Sequence, residues 1–281
     1  MARHLDESKW MKVGSLCTGS GGLDLAVKAF WPEAEFIWFA ENDKDCTKVL
    51  AHHWPNVPNL GDLTKIDWHQ VERPDLLIAG YPCQPYSVAG SRLGDSDERA
   101  IFSYIADACR VLSCGRLFFE NVSGHTSLGG PSVIGAITGL GYDCRWGVVS
   151  AAEAGAPHLR RRWFCVARSS DASTTDTAEL GPQGLRPERG LEEEKREARR
   201  LSCFGPYYTA VARWERILGR PAPDPIDDRG LRPGFVEWMI GLPENHICNI
   251  GLSRTAELKI LGNAVVPAQA HLALELLHHD T

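Results

Sequence analysis

The chain has 281 residues, of which 43% are hydrophobic and 23% are charged, and its formal net charge is −6. This composition is that of an ordinary globular protein with enough apolar residues for a core, and the length fits one large or two modest domains. No apolar run approaches the ~18 residues of a membrane span, and residues 1–10 are too polar for a signal peptide. We therefore expect a cytoplasmic protein without a membrane partner.

The nine cysteines are an odd number, and none of them forms a Cys-x-x-Cys pair. This spacing supports neither a disulfide framework nor a zinc site, so we expect reduced thiols and no metal. The acidic net charge argues against nucleic-acid binding over the whole surface, but local clusters carry more information than the total. Residues 160–162 and 195–200 are local basic clusters.

The N-terminal part of the chain follows the order strand, glycine-rich turn, helix. Residues 12–17 predict a strand, Thr18-Gly19-Ser20-Gly21-Gly22 a turn, and residues 23–31 a helix. This order opens many nucleotide-binding α/β units. A glycine turn alone is weak support, because many such turns only reverse the chain.

Two acids follow the glycine turn at informative positions. Glu41 ends a strand predicted for residues 36–40, about twenty residues after the turn, where an acid binds ribose hydroxyls. Its alternative role is that of an acid at the N-terminus of the next helix, predicted for residues 43–54. Asp62, at the end of a short predicted third strand, can accept from an adenine amino group or serve only as a turn residue.

The apolar run at residues 75–79 predicts a buried strand that leads into the loop Pro82-Cys83-Gln84-Pro85. Ligands of open α/β sheets collect at the carboxyl ends of strands, so Cys83 lies where chemistry is expected. The flanking prolines stiffen the loop, as a positioned nucleophile requires. The alternative is a buried structural cysteine.

A second buried strand, predicted for residues 116–122, carries Glu120 and Asn121 near its carboxyl end. A charge at the end of an apolar run is costly unless it is paired or functional, so Glu120 is a further candidate; the alternative is a carboxylate that faces water. Residues 142–150 predict a further strand, and the strand predicted for residues 161–168 begins at a basic corner. Its arginines form either a solvated face or a clamp for a carboxylate, a phosphate or a base oxygen.

Composition changes after residue 168, where Ser, Thr, Gly, Pro, Glu and Arg dominate up to residue 200. This stretch predicts a linker or mobile insertion. Order resumes with a short helix from Arg232, and the chain ends with Gly262-Asn263-Ala264-Val265-Val266-Pro267 and an apolar helix.

Taken together, these blocks resemble the DNA (cytosine-5)-methyltransferase family, over about residues 12–168 and 231–277. The blocks that carry the resemblance are Thr18-Gly19-Ser20-Gly21-Gly22, Glu41, Gly61-Asp62, Pro82-Cys83-Gln84-Pro85-Tyr86-Ser87, Glu120-Asn121-Val122, Arg160-x-Arg162 and Gly262-Asn263-x-Val265-x-Pro267. The resemblance implies an α/β, Rossmann-like S-adenosylmethionine-dependent methyltransferase fold with a small inserted target-recognition domain. Residues 1–168 and 250–281 would form the catalytic, cofactor-binding domain, and residues 169–249 the target-recognition domain with its linker.

The resemblance also implies a reaction, in which a methyl group moves from S-adenosyl-L-methionine to carbon 5 of a cytosine flipped out of double-stranded DNA. We expect a monomer with DNA as its partner. The resemblance implies that Cys83 is the nucleophile and that Glu120 contacts ring nitrogen 3 and the exocyclic amine of the base. It implies that Arg162 contacts the base carbonyl, that Arg160 lies beside the nucleophile, and that Asn121 braces the Cys83 loop.

The implied cofactor contacts come from both ends of the chain. Gly19, Gly21 and Gly22 would contact the methionine part, Glu41 the ribose and Asp62 the adenine amine. The rest of the pocket would be formed by Pro82, Asn263 and Val265. The chain departs from the family at Cys17, where phenylalanine is frequent, and at His158, where glutamine is usual. These departures remove no implied catalytic group.

Three other functions remain open at this stage. A tRNA cytosine-5 methyltransferase shares the catalytic blocks, and its substrate choice would lie in the variable segment. A catalytically silent DNA-binding relative is a second alternative. A Rossmann-type oxidoreductase is suggested by the glycine turn alone, but it leaves Cys83, Glu120 and the arginines without a role.

Overall fold

The structure is a computed structural model that describes residues 11–82, 98–170 and 203–278. Cys83 and the cluster at residues 195–200 therefore lie outside the described residues.

Six strands form one open sheet with the order β2-β1-β3-β4-β6-β5. β1 is parallel to β2 and β3, β3 is parallel to β4, and β6 runs antiparallel to both of its neighbours. The bounds are β1 Lys12–Leu16, β2 Glu35–Ala40, β3 Leu76–Gly80, β4 Arg116–Val122, β5 Tyr142–Ser150 and β6 Arg161–Ser169. The predicted α/β class is confirmed, and these six strands match the predicted segments to within one residue at each end.

The predicted third strand, which would end at residues 61–64, is wrong. Leu63–Lys65 is a 3₁₀ turn instead, and only an isolated bridge between Phe39 and Asn59 adjoins the sheet in this region. The physical reason is local. The Asp62 carboxylate accepts from the Thr64 N–H and hydroxyl at 3.1 and 2.8 Å, which closes a turn that competes with strand pairing.

Helices cover both faces of the sheet. Apolar side chains alternate along the strands, so that Leu76, Ile78 and Phe118 face one layer, while Leu77 and Phe119 face the other. This period of two is that of strands buried on both faces. The helices are α1 Gly22–Phe30, α2 Lys44–His53, α3 Glu98–Leu112, α4 His125–Leu128, α5 Gly130–Gly139, α6 Tyr208–Leu218, α7 Pro233–Ile240, α8 Arg254–Asn263 and α9 Pro267–His278.

The two layers have different helices and different partners in the sheet. Helices α1 and α9 contribute Ala26, Val27 and Ala273 to the layer that covers Leu76 and its neighbours. Helices α3 and α5 contribute side chains such as Ile105 and Ile137 to the opposite layer. The C-terminal helix α9 is therefore part of the same layer as the helix that follows the glycine turn.

A third apolar cluster lies at the C-terminal end of the chain and includes Trp214, Trp238 and Leu261 from α6, α7 and α8. The Trp214 indole N–H donates to the Trp238 carbonyl at 3.0 Å. Ala151 from the loop after β5 belongs to the same cluster. The segment at 203–250, with a small hairpin of β7 Ile226–Asp227 and β8 Gly230–Leu231, thus shares its core with neighbouring elements, and the proposed division at residues 168 and 250 stays a prediction.

One stretch of the described residues, Arg254–His278, is long and apolar enough to cross a membrane by length and composition. It comprises α8 and α9, and half of its most apolar window is buried inside the fold. The core helix of a soluble protein passes the same test. Within the three described ranges, no group of three or more His, Cys, Asp or Glu side chains is arranged to hold a metal.

Candidate active site

A cleft opens at the carboxyl ends of β1, β3 and β4, where the sequence predicts ligand binding. Its empty space, including the open mouth, is ≈580 Å³. Five of the predicted site residues lie together on its wall, namely Gly19, Gly22, Glu120, Asn263 and Val265.

The glycine turn forms one wall of this cleft, and glycine is needed at Gly21 and at Gly22 for different structural reasons. Gly21 has φ +79° as the N-cap of α1, and a Cβ there would lie 2.6 Å from the Trp54 ring. Gly22 packs against the far end of the chain, since its Cβ would lie 2.7 Å from the Val265 carbonyl oxygen. The turn therefore depends on the absence of side chains to bring the two ends of the chain together.

Glu41 braces the glycine turn from the end of β2. Its carboxylate accepts from the Gly19 N–H and from the Asp43 N–H, both at 2.7 Å, and its backbone is held by the Asn59 side chain. A carboxylate has about four acceptor positions, so two stay available for ribose hydroxyls. Glu41 lies beside the cleft, where its charge acts on the Cys17 thiol of the wall. The ribose contact stays a prediction.

Asp62 and Pro82 lie outside the cleft wall. Besides its Thr64 bonds, Asp62 pairs with Lys65 at 3.2 Å, and these contacts lower the pKa of its carboxyl, with Thr64 the larger cause. The turn role considered for Asp62 is thus observed, and its adenine contact stays a prediction. Pro82 is an exposed residue two positions beyond the end of β3, and its predicted cofactor contact is likewise untested.

Glu120 and Arg162 form a buried ion pair at the cleft. The Glu120 Oε1 and Arg162 Nε atoms are 2.9 Å apart. In the antiparallel pair of β4 and β6, Arg162 lies opposite Val122 and is therefore the diagonal neighbour of Glu120 on the same face of the sheet. Glu120 is only 7% exposed. Burial raises the pKa of its carboxyl to about 7, although Arg162 and Arg160 oppose the rise. A carboxyl with this pKa can hold or release a proton near neutral pH, as general acids do.

Arg160 holds the C-terminal wall of the cleft in place. Its guanidinium donates to the Gly262 carbonyl at 3.1 and 3.2 Å and to the Ala264 carbonyl at 2.7 Å. Those carbonyls flank Asn263 and precede Val265, so Arg160 fixes the loop that packs on Gly22. The sequence predicted a companion of the nucleophile; the observed contacts are with this loop.

Asn121 is buried beside Glu120, and its side-chain oxygen accepts from the Val122 N–H at 2.8 Å. Its Nδ2 atom has no hydrogen-bond partner among the residues that the structure describes. The predicted partner is the loop that carries Cys83, which lies outside those residues. The bracing role of Asn121 therefore stays a prediction, as does the nucleophilic role of Cys83.

Three features of the site were missed in the sequence. Asp24, on α1, is fully buried and lines the cleft; a charge inside the apolar stretch Gly22-Leu23-Asp24-Leu25-Ala26 was the available signal. Lys259 pairs with Asp43 across the mouth of the cleft at 2.8 Å. Buried His246 shares a hydrogen bond of 2.6 Å with the Ser20 carbonyl of the glycine turn. No local pattern marked the last two, because each joins residues more than 200 positions apart.

The residues present fit S-adenosyl-L-methionine. The space beside Gly19 is open to 4 Å, as a cradle for a ligand requires. The N-cap residue of α1 is Gly21, which has no side chain to cap the helix, and such a terminus favours an anion such as an amino-acid carboxylate. Asp24 supplies a buried acid close by, and Glu41 keeps free acceptor positions at the rim. Together these groups suit a ligand with an amino-acid part and a ribose.

Comparison with known proteins gave matches in sequence and in structure. Residues 11–201 match the model of the C-5 cytosine-specific DNA methylase family. A Type II methyltransferase of Neisseria gonorrhoeae, M.NgoBV, is 31% identical over 157 residues, which cover 51% of this chain and 37% of that protein. A DNA N-6-adenine-methyltransferase of Escherichia phage P1 is 42% identical over 90 residues, which cover 31% of this chain and 12% of that protein.

The chain thus spans well under half the length of these two curated relatives. Among solved structures, the Dnmt2 methyltransferase of S. pombe has a TM-score of 0.66 at 16% identity, with 95% of this chain and 99% of that chain covered. At this identity the similarity shows the fold, which is the S-adenosylmethionine-dependent methyltransferase fold expected from the sequence.

Proposed function

The chain belongs to the C-5 cytosine-specific DNA methylase family, and from this premise we propose that it methylates carbon 5 of cytosine in double-stranded DNA. The observation that carries the proposal is that buried Glu120 lies on the wall of the cleft that also contains Gly19, Gly22 and Val265, and that it pairs with Arg162. A proton donor for the base thus lies next to a pocket for the methyl donor. This proximity is what transfer of a methyl group from that donor to the base requires.

Glu120 and Arg162 have the donor and acceptor sets that cytosine needs. A neutral Glu120 carboxyl donates its proton toward ring nitrogen 3 and accepts from the exocyclic amine. Arg162, which has only donors, then leaves its ion pair in part to hold the base carbonyl. Protonation at nitrogen 3 draws electrons from the ring, so carbon 6 becomes open to a nucleophile.

Cys83 is that nucleophile in our proposal. Its thiolate bonds to carbon 6, and the electron pair displaced from the carbon 5–carbon 6 double bond makes carbon 5 nucleophilic. S-adenosyl-L-methionine would supply an electrophilic methyl group, whose bond to sulfur breaks as the bond to carbon 5 forms, with S-adenosylhomocysteine as the leaving group. Once carbon 5 has gained the methyl group, it loses its proton to a base, the double bond forms again and the thiolate leaves carbon 6. The sequence predicts that Pro82 and Pro85 stiffen the loop that carries this thiol.

In this proposal, Arg160 and the glycines bind and position the cofactor. Arg160 keeps the Gly262–Val265 loop against the glycine turn, and the N-terminus of α1 attracts the carboxylate of the methionine part. Glu41 binds the ribose and Asp62 the adenine amine. Base flipping brings cytosine to Glu120, because carbon 5 and carbon 6 cannot be reached within a duplex. Residues 169–249 form the target-recognition domain in this proposal.

The direct test is a methyl-transfer assay on the full chain with labelled S-adenosyl-L-methionine. Genomic duplex DNA and unmodified tRNA are offered separately, and the products are digested to nucleosides and separated. The proposal predicts labelled 5-methylcytosine from DNA. Label only from tRNA would support the tRNA alternative, and label in N6-methyladenine would contradict cytosine as the target. DNA binding without any label would favour the silent relative.

A pair of glutamate variants ties the activity to the cleft. Glu120→Gln should lower methyl transfer about 10²- to 10⁴-fold, the usual range for loss of a general acid or base. Glu72→Gln is the matched control, because Glu72 is exposed and pairs with Lys12 at 2.6 Å, away from the cleft wall. Similar activity of the two variants would refute the role of Glu120.

A further inference from the structure

Asp24 is the buried acid that the proposed reaction leaves without a role. It is the third residue of α1, its side chain is 0% exposed, and it lines the cleft. Neither carboxylate oxygen has a hydrogen-bond partner of normal geometry within the described part of the chain. A buried carboxylate without a partner is costly, because it has lost water without gaining a donor or a cation. A ligand with a positive charge would remove this cost.

Among the described residues, the cation that lines the cleft, Lys259, and the cation that holds its C-terminal wall, Arg160, already have partners. Lys259 pairs with the Asp43 carboxylate at 2.8 Å, and the Arg160 guanidinium donates to the carbonyls of Gly262 and Ala264. Burial raises the pKa of the Asp24 carboxyl to about 7, and the nearby Ser15 hydroxyl and the residue's own N–H oppose this rise only in part. Asp24 thus has an environment that a cationic ligand would improve.

The start of α1 supplies the complementary charge. Its N-cap is Gly21, which has no side chain that could cap the first turn, so this terminus favours an anion. Asp24 lies three residues further on, a rise of about 4.5 Å along the helix. An anion site and a buried acid within one helical turn match a zwitterion whose carboxylate and ammonium are attached to the same carbon.

We propose that Asp24 binds the α-ammonium group of the methionine part of S-adenosyl-L-methionine. The inference rests on the proposed function, because it assumes this cofactor. Asp24 takes no part in bond formation; it selects ligands that carry a free α-amino group. Together with the N-terminus of α1, it orients the amino-acid end of the cofactor and so aims the other end along the cleft toward Glu120.

A cycle of protein and ligand changes tests this contact directly. The full-length chain is titrated by calorimetry with S-adenosylhomocysteine, with its analogue in which hydrogen replaces the α-amino group, and with 5′-methylthioadenosine, which lacks the amino-acid part. The protein forms are the wild type, Asp24→Asn and Asp45→Asn. Asp45 is the matched control, because it lies in the first turn of α2, pairs with Lys48 at 2.9 Å and does not line the cleft.

Removal of the amino group should weaken binding to the wild type about 10- to 100-fold, as loss of a hydrogen bond to a charged group does. Asp24→Asn should weaken S-adenosylhomocysteine to a similar extent, and the amino deletion should then change its affinity less than about threefold. Binding of 5′-methylthioadenosine should be the same in all three proteins. Asp45→Asn should behave as the wild type does.

Two results would overturn the inference. If the wild type bound S-adenosylhomocysteine and its deaminated analogue with equal affinity, the ammonium site would be contradicted and the proposed function would stand. Equal weakening of all three ligands by Asp24→Asn would show a structural role only. If Asp24→Asn does not fold, the wild-type titrations still decide the first point, and Asp24→Ser completes the cycle. Failure of the wild type to bind S-adenosylhomocysteine at all would instead contradict the proposed function.

Discussion

The Glu120–Arg162 pair makes a prediction about pH that follows from its burial. Burial raises the pKa of the Glu120 carboxyl to about 7, so the proton-donating form is dominant below pH 7 and is lost as the pH rises through that value. A group with this pKa is about half protonated at pH 7 and about one-hundredth protonated at pH 9. If the neutral carboxyl drives the reaction, its contribution to kcat/KM should fall about 50-fold between these two values, since kcat/KM reports the pKa values of the free enzyme.

Arg162 sets the direction in which the falling limb of this pH profile should move when the ion pair is broken. Its positive charge, 2.9 Å from Glu120, lowers the pKa of that carboxyl against the effect of burial. Arg162→Gln should therefore reduce activity and also move the falling limb of the residual activity to higher pH. Arg161→Gln is the matched control, because Arg161 is the exposed neighbour on the same strand, and it should leave the limb in place.

The assay is the initial rate of labelled methyl transfer to duplex DNA, measured at subsaturating DNA from pH 6 to 9.5. Glu120→Gln should lose the falling limb from its residual rate, because glutamine does not titrate. A falling limb that persists unchanged in Glu120→Gln, or an Arg162→Gln limb that moves to lower pH, would refute the assignment of this ionisation to Glu120.

Two further predictions concern the stability of the cleft. Gly22→Ala would place a Cβ 2.7 Å from the Val265 carbonyl oxygen, so it should lower the free energy of unfolding by about 1–3 kcal/mol. The control is Gly262→Ala, whose Cβ would meet no described atom within 4 Å and which should not lower the melting temperature. Equal losses of stability in the two variants would contradict the close packing at Gly22. Asp24 stabilises the folded protein below its unfolded pKa of 3.8 and loses this contribution as the pH rises through about 7, so the stability of the wild type relative to Asp24→Asn should decrease by about 3 kcal/mol between pH 5 and pH 8. Urea denaturation of the ligand-free proteins measures this difference, and a pH-independent value would contradict it.

Most of the sheet could be predicted from the sequence, because most of its strands contain a short apolar run near turn residues. The strand at residues 116–122 and the strand at residues 142–150 have the predicted bounds. The third predicted strand was wrong because a local side-chain bond of Asp62 closes a turn there. Local turn chemistry of this kind competes with strand pairing and is hard to weigh without the neighbouring strands.

Site residues could be predicted where a charged side chain stands in an apolar strand, because such a residue seldom has a purely structural role. Contacts between segments that are distant in the sequence could not be predicted. Glu120 was found because a charge at the end of a buried strand is unusual. Its pairing with Arg162 was not predicted, because it depends on β4 and β6 being neighbours in the sheet. Arg160 was expected near the nucleophile, but its contacts are with Gly262 and Ala264. No spacing in the sequence shows that residues 102 and 104 positions apart will meet.

The most direct test of the proposed reaction is a trap for the covalent adduct on Cys83. The full-length protein is incubated with S-adenosyl-L-methionine and a pool of random-sequence duplexes that contain 5-fluorocytosine, which blocks the loss of the group at carbon 5. We expect a protein–DNA adduct that survives denaturation, maps to the peptide with Cys83, requires the cofactor and is absent from Cys83→Ala. Methylation of ordinary duplex DNA by the same preparation without any adduct, or an adduct at a different residue, would contradict the account.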